Sequence, residues 1–295
     1  MSSSFITKQL RASLVLPQGK FPSTDNNTLV LTGLRMSAQL EQSGRWTSSC
    51  DLRIWGMRQA DMNAVTVLFG QGGQVININA VALLILEAND GSGWLQIFEG
   101  QFIEGGPDYS QLPDVCLHAI AQTGAGQQYL TAAPSSYRGA QNAATLARQL
   151  ATQMKFQFEN NGVQATLNNP YLPGTLMDQF RALADAAGFD YYFDAKSTLI
   201  ICPANQPRQG KTPIPVNPQT GLVGYPTLTR FGVELAALFS PAIELGSPIM
   251  VSGSTVPGCD GHWFPYAANH DLETIVPGGR WFSRLKCAAA SAYAS

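Results

Sequence analysis

The chain has 295 residues, which gives room for two or three domains and for a sizeable buried core. Charged residues make up only 13% of the chain, about half the usual share, and the formal net charge is −2. This balance excludes a strong electrostatic attraction to nucleic acid or to an anionic membrane. Combined with 45% hydrophobic residues, it predicts that partner subunits cover much of the surface.

The expected location follows from the terminal and apolar segments. No apolar run approaches the roughly 18 residues that a membrane-spanning helix needs, and the longest run, 80–86, is predicted as a strand. The first residues, Met-Ser-Ser-Ser-Phe-Ile-Thr-Lys, lack the layout of a signal peptide, so we expect assembly in the cytoplasm. The cysteines are odd in number and scattered, which favours reduced thiols over a disulfide framework.

Residues 1–133 are predicted to form a first β domain. Strand signals occur at 6–16, 28–40, 46–57, 74–87, 94–104 and 115–123. A short helix, ended by the glycines of 70–73, is expected after the third strand, with Asp61 as its N-cap. Its apolar face has four residues: Met62, Val65, Leu68 and Phe69. We expect a curved sheet or barrel whose open edge this helix covers.

Residues 134–204 are predicted to form a small α+β module of two helix–strand–strand units. Its two amphipathic helices share one spacing of apolar residues, i, i+4, i+7, i+8 and i+11. These residues are Ala143, Ala147, Leu150, Ala151 and Met154 in the first helix, and Leu176, Phe180, Leu183, Ala184 and Ala187 in the second. Aromatic strands follow at Phe156 and Phe158, and at Phe189, Tyr191 and Phe193. We expect each helix to cover its own small sheet.

Local signals predict the boundaries of these units. Thr175 and Asp178 match a capping box with Asp in place of Glu, and Gly188 suits the left-handed residue that closes a helix. Asn161-Gly162 predicts a two-residue hairpin turn after the first strand of the module.

Residues 205–295 are predicted to form a linker and a second β domain. The linker, 204–218, contains four prolines and is expected to lack regular structure. Strands are predicted at 222–228, 232–239, 248–252, 264–273 and 279–286, with Pro277-Gly278-Gly279 turning the last pair back. An arm of about 80 residues is small for an independent core, so it should pack on the first arm or on another subunit. The fold class is therefore mainly β: two β-barrel or sandwich domains flank an α+β insertion.

The sequence predicts no catalytic site and no cofactor. It has no Gly-x-Ser-x-Gly elbow, phosphate loop, His-Glu-x-x-His helix or dinucleotide fingerprint. No motif places one of the three histidines beside a nucleophile. Glu99 and Glu104 are an odd number of residues apart, which would put them on opposite faces of a strand instead of across one cleft. We therefore predict a protein that is not an enzyme.

The best metal candidate is Cys259-x-x-His262, with His270 and Cys287 further along the chain. Cysteine and imidazole are zinc ligands, and four of them could close a tetrahedral site. The long gap to Cys287 and the lack of a paired Cys-x-x-Cys favour a buried thiol and hydrogen-bonded histidines instead. We assign no metal-binding residues and leave a minor site at Cys259 and His262 open.

Several strings occur along the chain in a familiar order. They are Asn27-Thr-Leu-Val-Leu-Thr-Gly-Leu-Arg35, Leu52-Arg-Ile-Trp-Gly-Met57, Met62-Asn63, Phe158-Glu-Asn-Asn-Gly-Val163, Asn169-Pro-Tyr-Leu-Pro-Gly174, Gly221-Leu-Val-Gly-Tyr-Pro226, Asn269-His-Asp-Leu-Glu273 and Pro277-Gly-Gly279. With the order β arm, α+β insertion, β arm, the chain resembles the baseplate hub proteins of tailed bacteriophages, in particular the Mu-like hub family. The same layout forms the base of the type VI secretion spike. The resemblance spans residues 28–284.

The resemblance implies a homotrimer in the virion tail, in which two tube-like domains per subunit make a ring of six. Such a ring would match the hexameric tail tube or distal tail protein above and hold the central spike or tip protein below. The tape measure protein and the baseplate wedge would be further partners. DNA would pass through the channel without sequence-specific binding, and the middle module would lie outside the ring.

Other functions stay open at this point. A distal tail or tube protein would form a true hexamer from the same kinds of strand. A tail-associated cell-wall hydrolase would need an acid–base pair or a metal site. A carbohydrate-binding module would rest on the five scattered tryptophans, which are more often core or interface residues.

Overall fold

A computed structural model of the chain describes residues 8–45, 47–66, 81–91, 93–127 and 132–289. The described part is mainly β, with 48% of residues in strands and 13% in helices, which confirms the predicted fold class. Some predicted features lie outside the described residues: the start of the first strand, Trp46, Leu68, Phe69, the glycines of 70–73, and residues 74–80.

The first arm contains strands whose side chains alternate between the core and the outside. Its elements are β1 (Gln9–Val15), β2 (Thr28–Thr32), β3 (Met36–Ser43), β4 (Ser49–Trp55), α1 (Gln59–Ala64), β5 (Leu83–Asn89), β6 (Trp94–Asp108) and β7 (Cys116–Gln122). The predicted single strand at 28–40 is two strands. The break falls at Gly33, whose φ of 69° suits a turn and not an extended strand.

Asp61 is not the N-cap of α1. The N-cap position is Arg58, which makes no side-chain capping hydrogen bond. Asp61 lies inside the helix, is 2% exposed, and accepts a hydrogen bond from the backbone N–H of Ser23 at 3.1 Å. The carboxylate therefore ties the helix to the β1–β2 connection, a long-range contact that no local spacing indicates. Met62 and Val65 are buried, as predicted.

The middle module has the two predicted helices at their predicted positions. Its elements are β8 (Ser135–Ser136), β9 (Ala140–Asn142), α2 (Ala143–Gln153), β10 (Gln157–Asn160), β11 (Thr166–Asn168), β12 (Tyr171–Leu172), α3 (Leu176–Ala187), β13 (Phe189–Phe193) and β14 (Thr198–Pro203). The capping box of Thr175 and Asp178 is formed in both directions, and Gly188 closes α3 with a φ of 65°. These local predictions are confirmed.

The prediction of two separate small sheets is wrong. β10 pairs in parallel with β14, and β14 pairs antiparallel with β13, so both units share one three-stranded sheet. Asn161-Gly162 is accordingly not a hairpin turn. The side-chain oxygen of Asn160 accepts hydrogen bonds from the backbone N–H groups of Gly162 (3.1 Å) and Val163 (2.8 Å), which turns the chain out of the sheet.

This shared sheet is buried on both faces. Phe189, Tyr191 and Phe193 of β13 belong to the core that the two helices cover. Tyr192 of β13 and Ile200 of β14 point the other way, into the core of the second arm. The sheet is therefore packed between the module's helices and the second arm, which explains why, apart from Asp190, the inner residues of β13 and β14 are apolar on both faces.

The second arm contains β15 (Ile214–Val216), β16 (Leu222–Thr229), β17 (Gly232–Leu238), β18 (Ile249–Val251), β19 (Gly261–Thr274) and β20 (Trp281–Ala289). β15 lies in the linker that was predicted to be irregular. It pairs in parallel with β18 and with no other described strand, a position at which Pro215 is tolerated. β19 and β20 form the hairpin predicted around Pro277-Gly278-Gly279.

The two arms are joined in one sheet. The order of its strands is β16-β17-β20-β19-β3-β4-β7-β6-β5-β1-β2, with β15 and β18 beside β19. The junction is the antiparallel pair β3–β19, in register from Met36 opposite Thr274 to Ser43 opposite Ala267. The second arm thus packs on the first through backbone hydrogen bonds as well as through side chains.

Candidate interaction surfaces

One face of the continuous sheet is turned away from the cores, and its charged side chains come from both arms. Directly opposite residues share a face of a sheet. Asp271 of β19 lies opposite Gln39 of β3, which lies opposite Asp51 of β4. By the same register, Arg11 and Glu87 at the far end of the first arm are on this side. We call this side of the sheet the polar face.

Charges on the polar face are paired across neighbouring strands. The contacts are Arg11 with Glu87, Asp51 with Nε2 of His118 at 3.0 Å, Asp271 with Arg284 at 3.4 Å, and Glu234 with Lys286 at 3.7 Å. Exposed pairs of this kind contribute only about 0–1 kcal/mol each to stability. Their larger effect is on the surface potential, because the side chains of Arg11, Arg284 and Lys286 each offset a carboxylate. The polar face therefore presents no strong field to a passing polyanion.

The two terminal strands of the sheet contain no charged residue. Within the described residues, β16 pairs only with β17 and β2 only with β1. Tyr225 and Leu228 of β16 are 76% and 52% exposed, and Val30 of β2 is 53% exposed. Proteins usually protect such edges with lysine, proline or a covering element. β16 contains such a proline, Pro226, whereas β2 contains neither lysine nor proline, so β2 is the edge better suited to contact with another protein chain.

Arg208 joins the middle module to the second arm. Its side chain is 4% exposed and donates to both oxygens of Glu159 on β10, at 2.7 and 3.1 Å, and to Oε2 of Glu244 at 2.6 Å. Burial alone would raise the pKa of Glu159, but hydrogen bonds from Arg208 and Asn161 outweigh it and hold this pKa below its usual value. Glu159 is therefore charged at neutral pH and holds the guanidinium of Arg208 in place. We call this contact between the middle module and the second arm the seam.

The first arm also contacts the module. The tip of the β3–β4 hairpin enters the seam, where Arg45 contacts Asp185 at 3.0 Å and Asp190 at 3.3 Å. The hydroxyl of Tyr191 donates to the backbone carbonyl of Arg45 at 2.7 Å. Nearby, the amide of Gln96 on β6 donates to the carbonyl of Ala195 at 2.7 Å. The module is thus held by both arms at one end of the sheet.

The structure does not bring the four candidate zinc ligands together. Among the described residues, no group of three or more His, Cys, Asp or Glu side chains could hold a metal ion. His270 lies opposite Ser283, whereas Cys287 lies four residues further along the same strand, about 13 Å away. All five cysteines are free and buried, and burial raises the pKa of Cys202 to about 12. These are the properties of structural thiols.

A serine does lie beside a histidine, which no sequence motif indicates. Ser283 Oγ is 2.8 Å from His270 Nδ1, and the two residues are 1% and 4% exposed. Burial lowers the pKa of His270 to about 4, so its ring is neutral at pH 7. The cavity beside the ring measures about 40 Å³, enough for about one water molecule but not for a substrate. The pair is a hydrogen-bonded polar contact of the core.

The prediction that Glu99 and Glu104 face opposite ways is wrong. The pairing of β6 with β7 is irregular between Phe102 and Glu104, and the extra residue returns both carboxylates to one face. Five residues along a strand still separate them by about 16 Å, beyond the reach of a glycosidase pair. Glu99 also accepts hydrogen bonds from Gln96 at 3.0 Å and Ser197 at 3.2 Å. Its role is to contact the module.

Comparison with known proteins places these surfaces in context. A sequence profile described as "Baseplate hub gp41" matches residues 24–275, which is most of the chain. The chain belongs to this baseplate hub family. The hub protein therefore has a structural role in a bacteriophage tail, at the baseplate. No curated protein matches its sequence. In the described part of the hub protein, no helix is long and apolar enough to cross a membrane.

Solved structures share the fold at low sequence identity. The 43 kDa tail protein of prophage MuSo2 from Shewanella oneidensis is 10% identical, with a TM-score of 0.61 and 96% of each chain covered. A tail protein from Neisseria meningitidis MC58 is 8% identical, with a TM-score of 0.65 over 96% of this chain and 98% of that one. The E. coli c3393 protein, a type VI secretion component, is 9% identical with a TM-score of 0.61, covering 88% and 74%.

Proposed function

We propose that three copies of this hub protein form a ring that joins the hexameric tail tube to the central spike or tip of the phage. Each chain contributes two tube-like domains, residues 1–133 and 205–295, and the module at 134–204 contacts both of them and lies outside the ring. The protein works as a mechanical adaptor between sixfold and threefold symmetry, in the virion tail, after assembly in the host cytoplasm. It performs no catalysis and needs no cofactor.

The observation that carries this proposal is the single sheet that runs through both arms. β3 and β19 join the arms edge to edge, so that one polar face spans both. A wall of a channel needs this continuity, because a gap between arms would expose core residues to the lumen. The charge pairs of the polar face suit a lumen through which DNA passes without adhering.

The remaining partners follow from the position of a hub in the tail. The tail tube or distal tail protein would lie above the ring, and the spike or tip protein below it. The tape measure protein would contact the lumen, and the baseplate wedge would contact the outside. The edge strand β2, which contains no charged residue and no proline, supports contact between neighbouring copies, since such an edge is hazardous in a free monomer.

The test is the mass and symmetry of the assembled ring. We expect native mass spectrometry of the purified protein to give three chains, and electron microscopy of tail ends to show one threefold ring of this protein. Six chains per ring would instead identify a distal tail or tube protein. A stable monomer both in solution and in tail ends would contradict both structural assignments. Release of fragments from purified cell-wall material would contradict the non-enzymatic role.

A further inference from the structure

Asn161 lies in the seam and is 4% exposed. Its side-chain Nδ2 donates to Oε1 of Glu159 at 2.9 Å, and its Oδ1 accepts from the backbone N–H of Gln209 at 2.9 Å. Its own backbone N–H donates to the carbonyl of Ile201 on β14 at 2.9 Å. One amide side chain therefore links β10 to the segment that leads from β14 into the second arm, and it shares Glu159 with Arg208.

The residue after Asn161 is glycine, and this is the only Asn-Gly pair in the chain. Asparagine is one of the chemically labile residues of proteins. In deamidation, the backbone nitrogen of the following residue attacks Cγ of the asparagine, a C–N bond forms, and the side-chain nitrogen leaves as ammonia. Water then opens the resulting cyclic imide to aspartate or isoaspartate, so water is the only co-reactant and nothing is oxidised or reduced. Glycine favours the attack because it has no side chain beside the attacking nitrogen.

The seam restrains this attack in the folded chain. The backbone N–H of Gly162, which carries the attacking nitrogen, donates to Oδ1 of Asn160 at 3.1 Å. Both ends of the Asn161 amide are hydrogen-bonded, so its Cγ is not free to rotate towards that nitrogen. The side chain of Gln209 covers the turn, since a Cβ on Gly162 would lie 2.7 Å from Nε2 of Gln209. Deamidation therefore requires local opening of the seam, and its rate depends on how often the seam opens.

Deamidation also changes the seam chemically. Aspartate has an oxygen where Nδ2 of Asn161 now donates, 2.9 Å from Oε1 of Glu159. Two carboxylates so close repel each other when both are charged. Isoaspartate, in addition, lengthens the backbone by one methylene group. The modified chain therefore cannot form the same set of hydrogen bonds between the module and the second arm.

We propose that Asn161 is a deamidation site that makes opening of the seam irreversible. Opening exposes the Asn161-Gly162 pair to the attack, and the product, with a new negative charge beside Glu159, holds the module less tightly. The substrate is the chain itself, with water, and no enzyme is needed. In a particle that persists outside a cell, the middle module then loosens in one direction with age. The inference rests on contacts within one chain and is independent of the proposed trimer.

The experiment incubates the full-length protein in mildly alkaline buffer and follows residue 161 by peptide mapping with mass spectrometry. The samples are the wild type, the wild type unfolded in urea, Arg208→Met, and the matched control Lys211→Met. Conversion should be at least about tenfold slower in the folded wild type than in the unfolded chain, because only the open fraction reacts. Arg208→Met should speed conversion by about tenfold, and Lys211→Met should leave it unchanged. Sub-denaturing urea on the wild type is a second route to the same test, since the rate should rise in proportion to hydrogen exchange at the amides of β10 and β14.

The effect of the product is measured with Asn161→Asp. Asn161→Ser is its control, because it removes the same side-chain contacts without adding a charge. Hydrogen exchange at the amides of β10 should be faster in Asn161→Asp than in Asn161→Ser at neutral pH. The difference should disappear below about pH 4, where the carboxylates are protonated.

Three results would overturn the inference. Equal rates of conversion in the folded and unfolded wild type would show that the seam gives no protection. Conversion that is no faster in Arg208→Met than in Lys211→Met, and that does not respond to sub-denaturing urea, would separate the reaction from opening of the seam. Equal hydrogen exchange in Asn161→Asp and the wild type would show that the product does not loosen the module. None of these results bears on the proposed trimer, which native mass spectrometry tests separately.

Discussion

Removal of the charge of Arg208 should loosen the middle module from the second arm. Arg208→Met keeps the packing of the side-chain stem and deletes three hydrogen bonds to Glu159 and Glu244. Breaking a fully buried ion pair costs about 3–5 kcal/mol, whereas an exposed pair contributes about 0–1 kcal/mol. Arg208 is 4% exposed, but its two carboxylate partners are 37% and 38% exposed and can be rehydrated. We therefore expect a loss of about 2–3 kcal/mol in the free energy of unfolding.

The assay is denaturant unfolding combined with hydrogen exchange at the amides of β10 and β14. Exchange should increase in this sheet first, because Glu159 is on β10. Lys211→Met is the matched control, since the ammonium of Lys211 is 46% exposed and 3.9 Å from the same Oε2 of Glu244. It should cost less than about 0.5 kcal/mol. The double variant Arg208→Met, Glu159→Gln should recover part of the loss because it leaves one fewer unpaired carboxylate.

The pH dependence gives a second readout. The pKa of Glu159 is lower in the fold than in the unfolded chain, so its contribution is complete above the unfolded pKa of about 4.3 and is lost as the pH falls through the folded pKa. Arg208→Met should remove this acid dependence. If Arg208→Met were no less stable than Lys211→Met, the reasoning about the buried guanidinium would be wrong.

Three further predictions follow from single residues. Val30→Lys places a charge on the edge strand β2 and should shift the protein from trimer towards monomer in native mass spectra, without changing its circular dichroism. An unchanged trimer would exclude this edge from the interface. Burial gives His270 a pKa of about 4 in the fold, against about 6.5 in the unfolded chain. The free energy of unfolding should therefore fall by up to about 3 kcal/mol as the pH drops from 6.5 to 4. In the same pH titration of stability, His270→Gln should show a weaker dependence on pH. Thr175→Ala removes one half of a capping box and should cost about 1 kcal/mol in urea unfolding, whereas a change below about 0.3 kcal/mol would show that tertiary packing alone holds α3.

Features set by neighbours in the chain could be predicted from the sequence. The spacing of apolar residues located α2 and α3, and the capping box and Gly188 located the ends of α3. The strands of both arms were recognised by alternation, because a half-buried strand has a period of two wherever its partner comes from. The family resemblance likewise rested on short strings and on the order of elements along the chain.

Predictions that depended on pairing were less accurate. Asn161-Gly162 is a typical sequence for a hairpin turn, but β10 pairs in parallel with β14 instead of with the segment that follows it. At Asn161-Gly162 the chain therefore turns away from the sheet. Glu99 and Glu104 share a face because of a bulge, and a bulge is visible only in the register with β7. Asp61 is a residue type that often caps helices, but its carboxylate accepts a hydrogen bond from the backbone of Ser23, which is distant in the sequence.

The sequence alone determined the mainly β class, the two helices of the middle module and the low net charge of the chain. These are properties of composition and of periodicity over a few residues. Only the tertiary structure showed that β3 and β19 join both arms into one sheet and that Arg208 lies between the middle module and the second arm. Strand pairing is a contact between distant segments, and the backbone groups that make it are the same in every residue. The pairing is therefore decided by how the cores pack, and it cannot be predicted from a local sequence pattern.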